Sequence, residues 1–353
     1  MQSKSVAGRR VLITGAGGSI GSALSHAVAA SKPTSLMLLD SSENALYQVD
    51  RSLREGGSGG HVAVLGSVGD PDTLDATLKR YRPEIIFHTA ALKHVPLMER
   101  NPFAAMEQNV LSTQTLMDAA ITHGIEQLVH VSTDKAVEPC SIMGASKRIA
   151  ELLLLSSQSS TRIKVVRLCN VIGSQGSVLP LFLEQMEQGV TLTVTHPDAE
   201  RFFITLDEAV RAMLDASEIP CTKALLIPSI GQSVVIVDLA RHVLETRGSA
   251  ALIEFTGLRA GDKLSERLMS SREALSAVGE HDSSALREIK TPLPDKAVLS
   301  TALEMLYEAV GRRELGQLLR GVCWLVPEYQ PSSVILTALD EATALAVATE
   351  MRA

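Results

Sequence analysis

Aromatic side chains are scarce in this chain: Phe, Tyr and Trp make up 3% of its 353 residues, with a single tryptophan. The interior must therefore be built from Val, Leu, Ile, Ala and Met, for which a hydrophobic content of 45% is ample. Cysteine is nearly as rare. Cys140, Cys169, Cys221 and Cys323 lie far apart and form no C-x-x-C pair, which excludes a disulfide framework or a zinc site and leads us to expect no metal. Long apolar runs are missing too, since no stretch approaches the roughly 18 residues of a membrane helix. The opening M-Q-S-K-S-V-A-G-R-R is not followed by the apolar core of a signal peptide, because Val11-Leu12-Ile13 stops at Thr14-Gly15. The expectation is a cytoplasmic protein with no membrane span. Positive charge is not in excess either: the net charge of −7 argues against nucleic acid or an anionic membrane as the main partner. There is no internal repeat.

What is present is a strand-and-helix alternation. Arg10 to Ile13 reads as a buried parallel strand, followed by Thr14-Gly15-Ala16-Gly17-Gly18-Ser19-Ile20-Gly21 and a helical pattern from Ser22 to Ala30. In that context Gly15, Gly18 and Gly21 let the backbone approach a pyrophosphate, and the helix N-terminus offers it free N–H groups. The next strand, Ser35 to Leu39, ends at Asp40, 19 residues beyond Gly21. An acid there accepts from an adenosine ribose and repels a 2′-phosphate, which favours NAD while leaving NADP open. Strands at His61 to Leu65, Glu84 to Thr89, Gln127 to Val131 and Lys164 to Leu168 alternate with helices, two of them at 46–53 and 70–80, and the glycine-rich 56–60 is a surface connection. This predicts an α/β fold with a doubly wound parallel sheet over residues 1–172. A smaller C-terminal substrate-binding lobe is expected over 173–330, some segments returning to the first domain, with a tail at 331–353.

Ligands in such sheets bind beyond the carboxyl ends of the strands, so the segment 90–99 borders the site. Lys93 and His94 are either phosphate or sugar contacts or ordinary loop residues. Asn109, on a helix expected from Pro102 to His123, is either a core amide or a site residue. Arg201 and Arg259 are candidates for a bidentate grip on a diphosphate, with a surface arginine as the alternative. The richest stretch is Val131 to Lys147, where Thr133, Asp134 and Lys135 follow a strand end to end. If Ser141 caps a helix, Met143 and Lys147 lie one turn apart on one face.

Together these residues resemble the extended short-chain dehydrogenase/reductases, and more narrowly their UDP-N-acetylglucosamine 4,6-dehydratase branch, the CapD-like polysaccharide biosynthesis proteins. The motifs that carry the resemblance are T-G-A-G-G-S-I-G, A-A-L-K-H-V-P-L-M-E, V-S-T-D-K-A-V-E-P, M-G-A-S-K-R, G-S-V-L-P-L-F and T-H-P-D-A-E-R-F-F-I-T, spread between about Arg10 and Tyr329. The resemblance implies a Rossmann fold, a nicotinamide cofactor regenerated within each turnover, a UDP-sugar substrate and a homo-oligomer. It implies that the product is a 4-keto-6-deoxy sugar. Asp134 would be the acid at the C6 hydroxyl, Lys135 the base at C5 and Thr133 the partner of the C4 oxygen. Gly15, Gly18, Ser19, Ile20, Gly21, Asp40, Ala90, Ala91, Lys93, Asn109 and Lys147 would meet the cofactor. Lys93, His94, Asn170, Ser177, Val178, Thr195, Arg201, Arg259 and Asp262 would meet the sugar nucleotide.

The family departs from this chain at four places. Met143 stands where a tyrosine usually deprotonates the C4 hydroxyl; larger members of the branch that carry methionine retain configuration at C5. Ser67, Gln175 and Asp262 stand where aspartate, arginine and glutamate are usual. The triple Thr133-Asp134-Lys135 differs from the Thr-Asp-Glu of deoxythymidine-diphosphate-glucose dehydratases, which favours a UDP-hexosamine. Lys135, near Lys147 and a positive nicotinamide, is expected to have a lowered pKa. A UDP-sugar epimerase or 5,6-dehydratase with the same cofactor cycle, and a non-catalytic dinucleotide-binding sensor prompted by Met143, Ser67 and Gln175, are the alternatives.

Overall fold

The computed structural model describes residues 3–57, 60–249, 251–276 and 285–350. Ser58 and Gly59 of the glycine-rich connection and residues 351–353 of the tail lie outside them. The first strand, β1 (Arg10–Thr14), has Val11, Leu12 and Ile13 wholly buried, as expected of a strand covered on both faces. Then follow α1 (Ser19–Ala30), β2 (Ser35–Asp40), α2 (Glu43–Glu55), β3 (His61–Leu65), α3 (Pro71–Tyr81) and β4 (Ile85–His88). Asp70 caps α3 by accepting from the N–H of Asp72, and Pro71 occupies the first turn, where its missing N–H costs nothing. The remaining elements of the first half are α4 (Val95–Glu99), α5 (Pro102–Met106), α6 (Ser112–Thr122), β5 (Gln127–Thr133), α7 (Ile142–Ser156) and β6 (Arg162–Leu168).

The parallel strands run in the order β3-β2-β1-β4-β5-β6, the doubly wound arrangement the alternation predicts. Beyond β6 the sheet gains Lys223–Pro228, parallel to it, then Leu286–Lys290 antiparallel to that strand, and at the edge Ala274–Leu275 antiparallel to Leu286–Lys290, making nine strands among the described residues. Chain from beyond residue 173 thus returns to the sheet. A separate apolar cluster of Phe182, Leu192, Val194, Ile236, Val237, Ala240 and Val243 holds together the helices Val178–Glu187 and Ile236–Arg247 and the strand Leu192–Val194. Among the described residues no helix is long and apolar enough to cross a membrane.

Two departures from the sequence reading matter for the site. Helix α1 starts at Ser19, three residues early, because the glycine turn closes on itself with the N–H of Gly18 donating to the Gly15 carbonyl. The helix expected from Pro102 to His123 is interrupted by a π-helical turn at Glu107–Leu111, which carries Asn109. Such turns expel one residue from the regular ladder and often mark sites.

Helix α7 is the central element. Residues 142–155 are all buried, because α4, α5 and α6, β5 and β6 and the helix Leu315–Leu325 surround it. Ser141 caps it as expected, accepting from the N–H of Gly144, and Glu99 of α4 accepts from the N–H of Ile142 at 2.7 Å. Gly144 is required there, since a Cβ would run into the carbonyl of Lys135. That close approach seats the helix directly on the Thr133-Asp134-Lys135 turn.

Candidate active site

The carboxyl ends of β1, β2 and β4 converge on the glycine turn. Gly15 takes φ +68°, and a Cβ on it would sit 2.5 Å from the N–H of Ala90, so the turn and the loop after β4 lie in backbone contact. Asp40 accepts from the N–H groups of Gly17 and Ser42, both at 2.8 Å, one on each carboxylate oxygen. Its charge is therefore fixed beside the turn with lone pairs to spare. Turn, helix N-terminus and acid form a cradle that could hold a dinucleotide, with the N–H groups of the first turn of α1 to meet a pyrophosphate and Asp40 placed to accept from a ribose.

Ala90 and Ala91 border this cradle, and Asn109 holds their loop in place. Its carbonyl accepts from the N–H of Leu92 at 2.8 Å, while its amide donates to the Leu92 carbonyl at 3.0 Å and to Ser146 Oγ at 2.9 Å. Both donors are used within the protein, so Asn109 shapes the site by joining the loop to α7. Lys93 donates to the carbonyl of Gln175 at 2.8 Å, the N–H of Gln175 donates to Ser19 Oγ at 3.2 Å, and the His94 ring packs on Gly176. The segment 173–177 thus straps across the glycine turn. Ser177 ends it with a buried hydroxyl that has no hydrogen-bond partner, and Val178 starts the next helix.

The chemically dense group is at the end of β5. Asp134 is completely buried. Its Oδ1 accepts from Thr133 Oγ1 at 2.9 Å and from Lys135 Nζ at 3.0 Å, and its Oδ2 is buried without a hydrogen-bond partner. Lys135 Nζ also donates to Asn170 Oδ1 at 3.1 Å and lies 3.7 Å from Glu266. Glu266 is itself faced by Lys263 at 3.4 Å and Arg201 at 4.0 Å. Burial works against the Lys135 charge, but Asp134 and then Glu266 outweigh it and raise the pKa. This corrects the expectation of a lowered value: the carboxylates, not Lys147, dominate the surroundings of Lys135.

Lys147 is the lysine with a lowered pKa. It is 4% exposed, and its Nζ lies 2.9 Å from His130 Nε2 and 2.6 Å from the Val131 carbonyl. Without a carboxylate in hydrogen bond to it, burial pushes it down to about 7. Met143, one turn earlier, is 3% exposed and belongs to the apolar core with Ile142, Ile149 and Leu153.

The other sugar-nucleotide candidates are dispersed. Arg201 donates to the carbonyls of Glu200, Lys263 and Leu264, which engage its guanidinium. Arg259 and Asp262 pair at 2.7 Å on the rim of an open cleft of about 360 Å³ lined by residues 258–262 and 330–333 with Cys140. Thr195 lies in the turn after Leu192–Val194. Sequence reasoning missed Glu266 and His130. Glu266 sits in an unremarkable G-D-K-L-S-E segment, whereas a polar ring in the apolar strand Leu128-Val129-His130-Val131 was a signal available to be read. Among the described residues no group of three or more His, Cys, Asp or Glu is placed to hold a metal ion.

The strand order and the glycine turn define a Rossmann-like α/β fold built on a large parallel sheet. Residues 11–287 match the model of a polysaccharide biosynthesis protein family, and the chain belongs to that family. It is 39% identical over 279 residues to the probable polysaccharide biosynthesis protein EpsC of Bacillus subtilis, covering 77% of this chain and 46% of that one. The chain thus spans about half the length of this relative. The structure resembles that of Pen from Bacillus thuringiensis, with a TM-score of 0.73 and 28% identity, covering 82% of this chain and 89% of that one. It also shares its fold with DesIV, a dTDP-glucose 4,6-dehydratase of Streptomyces venezuelae solved with NAD bound, at a TM-score of 0.66 and 23% identity over 74% and 88% of the two chains.

Proposed function

We propose that the protein is a UDP-hexosamine 4,6-dehydratase that converts UDP-N-acetylglucosamine to a UDP-4-keto-6-deoxy sugar with retention at C5. The observation that carries this reading is the Asp134 carboxylate, buried, with one oxygen shared by Thr133 and Lys135 and the other unpartnered. NAD, favoured over NADP by Asp40, would be held by the glycine turn, Asp40 and Lys147. When bound it supplies an acceptor for the C4 hydrogen and returns that hydrogen to C6.

The protein's own groups supply the proton chemistry. Thr133 Oγ1 orients the C4 oxygen, whose oxidation to a ketone acidifies the C5 proton. An ammonium on Lys135 cannot remove that proton, and a carboxylate on Asp134 cannot protonate a leaving hydroxyl. Moving one proton across the 3.0 Å hydrogen bond from Lys135 to Asp134 gives a neutral amine and a carboxylic acid with no change in net charge. Lys135 then takes the C5 proton, and Asp134 protonates the C6 hydroxyl as it leaves as water. Lys135 returns its proton to C5 once C6 has become a methyl group. The proton released to solvent when the C4 hydroxyl is oxidised is matched by the one Asp134 takes up from solvent in place of the one spent on water.

The test is incubation with UDP-N-acetylglucosamine, read by mass spectrometry and NMR. A product lighter by one water, with added NAD not consumed and a C6 methyl group, is the expected result. A C4 epimer of unchanged mass identifies an epimerase, an exocyclic enol ether a 5,6-dehydratase, and unchanged sugar with oxidised NAD bound a non-catalytic sensor. Any of these sinks the reading.

A further inference from the structure

Two histidines are buried side by side beneath the cradle, His88 at the end of β4 and His130 opposite it on β5, with ring centroids 4.9 Å apart. Their surroundings differ. Thr113 donates its hydroxyl proton to the Asn109 carbonyl, so at 3.1 Å it can only accept from His88 Nε2, and Thr14 hydrogen-bonds Nδ1 at 2.7 Å. One tautomer of His88 is therefore locked. His130 meets Lys147 Nζ through Nε2 at 2.9 Å, and its Nδ1 is buried with no hydrogen-bond partner. Nothing fixes the proton of His130 to either nitrogen.

We infer that His130 is the positioning residue of Lys147, an imidazole whose tautomer follows the protonation state of that amine. Towards an ammonium, Nε2 accepts and the ring proton sits on Nδ1. Towards a neutral amine, Nε2–H donates to the lone pair. In both states the amine also donates to the Val131 carbonyl, so Nζ keeps its place while its charge changes. A carboxylate in the same position would pin the lysine as a cation, and a leucine would hold neither form. The groups facing Lys147 are His130 of β5, His88 of β4 and, on its own helix, Glu151, whose carboxylate is occupied by Arg148, Arg167 and Ser132. Burial and the nearby lysine keep both imidazoles neutral. Burial sets the Lys147 titration near 7, so the switch would operate at neutral pH. The inference rests on the dinucleotide reading of the cradle only for what Lys147 serves, which is the nicotinamide end of the cofactor.

The two amides Gln and Asn, which differ only in reach, separate this role from packing. The amide end of glutamine reaches where Nε2 lies and can accept or donate, whereas that of asparagine reaches only as far as Nδ1. The full chain is stripped of nucleotide and retitrated with NAD between pH 5.5 and 9 in the wild type, His130→Gln, His130→Asn and His130→Leu. In the wild type, affinity for the positively charged nicotinamide rises as pH increases through about 7 and Lys147 loses its proton. His130→Gln keeps this inflection and stays within about threefold of wild-type affinity. His130→Asn and His130→Leu bind about tenfold more weakly, and their inflection moves to lower pH because the ammonium has lost an acceptor. In parallel, 15N NMR of histidine-labelled protein, assigned by difference from His130→Gln, shows the His130 proton moving from Nδ1 to Nε2 across the Lys147 titration. A single unchanged tautomer through that range overturns the inference, as do NAD profiles that fail to separate glutamine from asparagine. Absence of NAD binding in the wild type would overturn the dinucleotide reading instead, and the NMR titration would still decide the pair.

Discussion

Lys135 and Lys147 come from the same short stretch of chain, are both turned inward, and behave in opposite ways. Around Lys135 stand Asp134, Glu266 and the carbonyl of Asn170, and its charge is stabilised despite burial. Around Lys147 stand a neutral imidazole and one peptide carbonyl, and its charge is not. Burial alone would depress both. The difference teaches that the neighbours' charge decides which lysine holds its proton, and it gives each a distinct use. Lys135 keeps its proton in a hydrogen bond to Asp134. Lys147 can give its proton up at neutral pH while remaining hydrogen-bonded.

The most damaging way to break this contrast is Asp134→Asn. It removes the larger source of stabilisation for the Lys135 charge together with the carboxylate that becomes the acid in the proposed mechanism. Water loss from UDP-N-acetylglucosamine should fall by about 10³- to 10⁴-fold, the upper end of what a positioned acid contributes. NAD binding should stay within about threefold of wild type, which separates lost chemistry from lost fold. Retention of more than a tenth of the activity would remove Asp134 from the proposed mechanism.

Arg167→Met attacks the contrast from below. Arg167 is fully buried and donates to Glu151 and Glu273, each through two nitrogens at 2.8 Å, while Arg148 bonds Glu151 at 2.9 Å. This network is why Glu151, one turn beyond Lys147, does not serve as its counter-ion. Removing Arg167 strands buried carboxylates and should cost about 3 kcal/mol in urea unfolding. The less compensated Glu151 should then draw the Lys147 titration upwards. The network also carries a pH signature. Glu273 is depressed from 4.5 to about 2 because its hydrogen bonds and charge pairing with Arg167 overcome burial. Its stabilisation is therefore complete above pH 4.5 and fades as pH falls through 2. Stability flat between pH 7 and 2 would contradict that.

How much of this was legible beforehand follows from range in sequence. Strands such as Val11-Leu12-Ile13, the glycine turn, the distance from Gly21 to Asp40 and the Ser141 cap are local patterns, and the fold repeats them. Thr133, Asp134 and Lys135 are consecutive, so their clustering was readable as well. What was not readable is what arrives from afar. Glu266 reaches Lys135 across more than a hundred residues because 263–266 lies against the strand of Glu200 and Arg201, and no periodicity announces it. The π turn at Asn109 escaped for a different reason: its composition is ordinary helix, and the partner of its amide, Leu92, lies 17 residues away.

Glu266→Gln probes the contrast more gently. With that charge gone, Lys135 keeps Asp134 as its counter-ion but feels Lys263 and Arg201 unopposed. The basic limb of the kcat profile, where the shared proton is finally lost, should move to lower pH by roughly one unit. The plateau should change by about threefold or less. An unmoved basic limb would mean that Glu266 matters for holding the segment 263–266 and not for the proton.

Met143→Leu should have the smallest effect, and that is its use. The family resemblance leads one to expect a tyrosine here as proton acceptor for the C4 hydroxyl, and the methionine raises the question of whether the thioether has taken over a chemical role. The thioether is only a weak hydrogen-bond acceptor. Met143 is 3% exposed within the apolar cluster that includes Ile142, Ile149 and Leu153. A volume-conserving change to leucine should cost less than about 1.5 kcal/mol in unfolding and leave kcat within about twofold. The larger cavity of Met143→Ala should cost about 2–5 kcal/mol while sparing much of the turnover. Stability would then fall with the volume removed and activity would not, which assigns the residue to the core. A tenfold loss of kcat in the stable leucine variant would instead place the sulfur beside the reacting atoms, and the proton path would need to be redrawn through it.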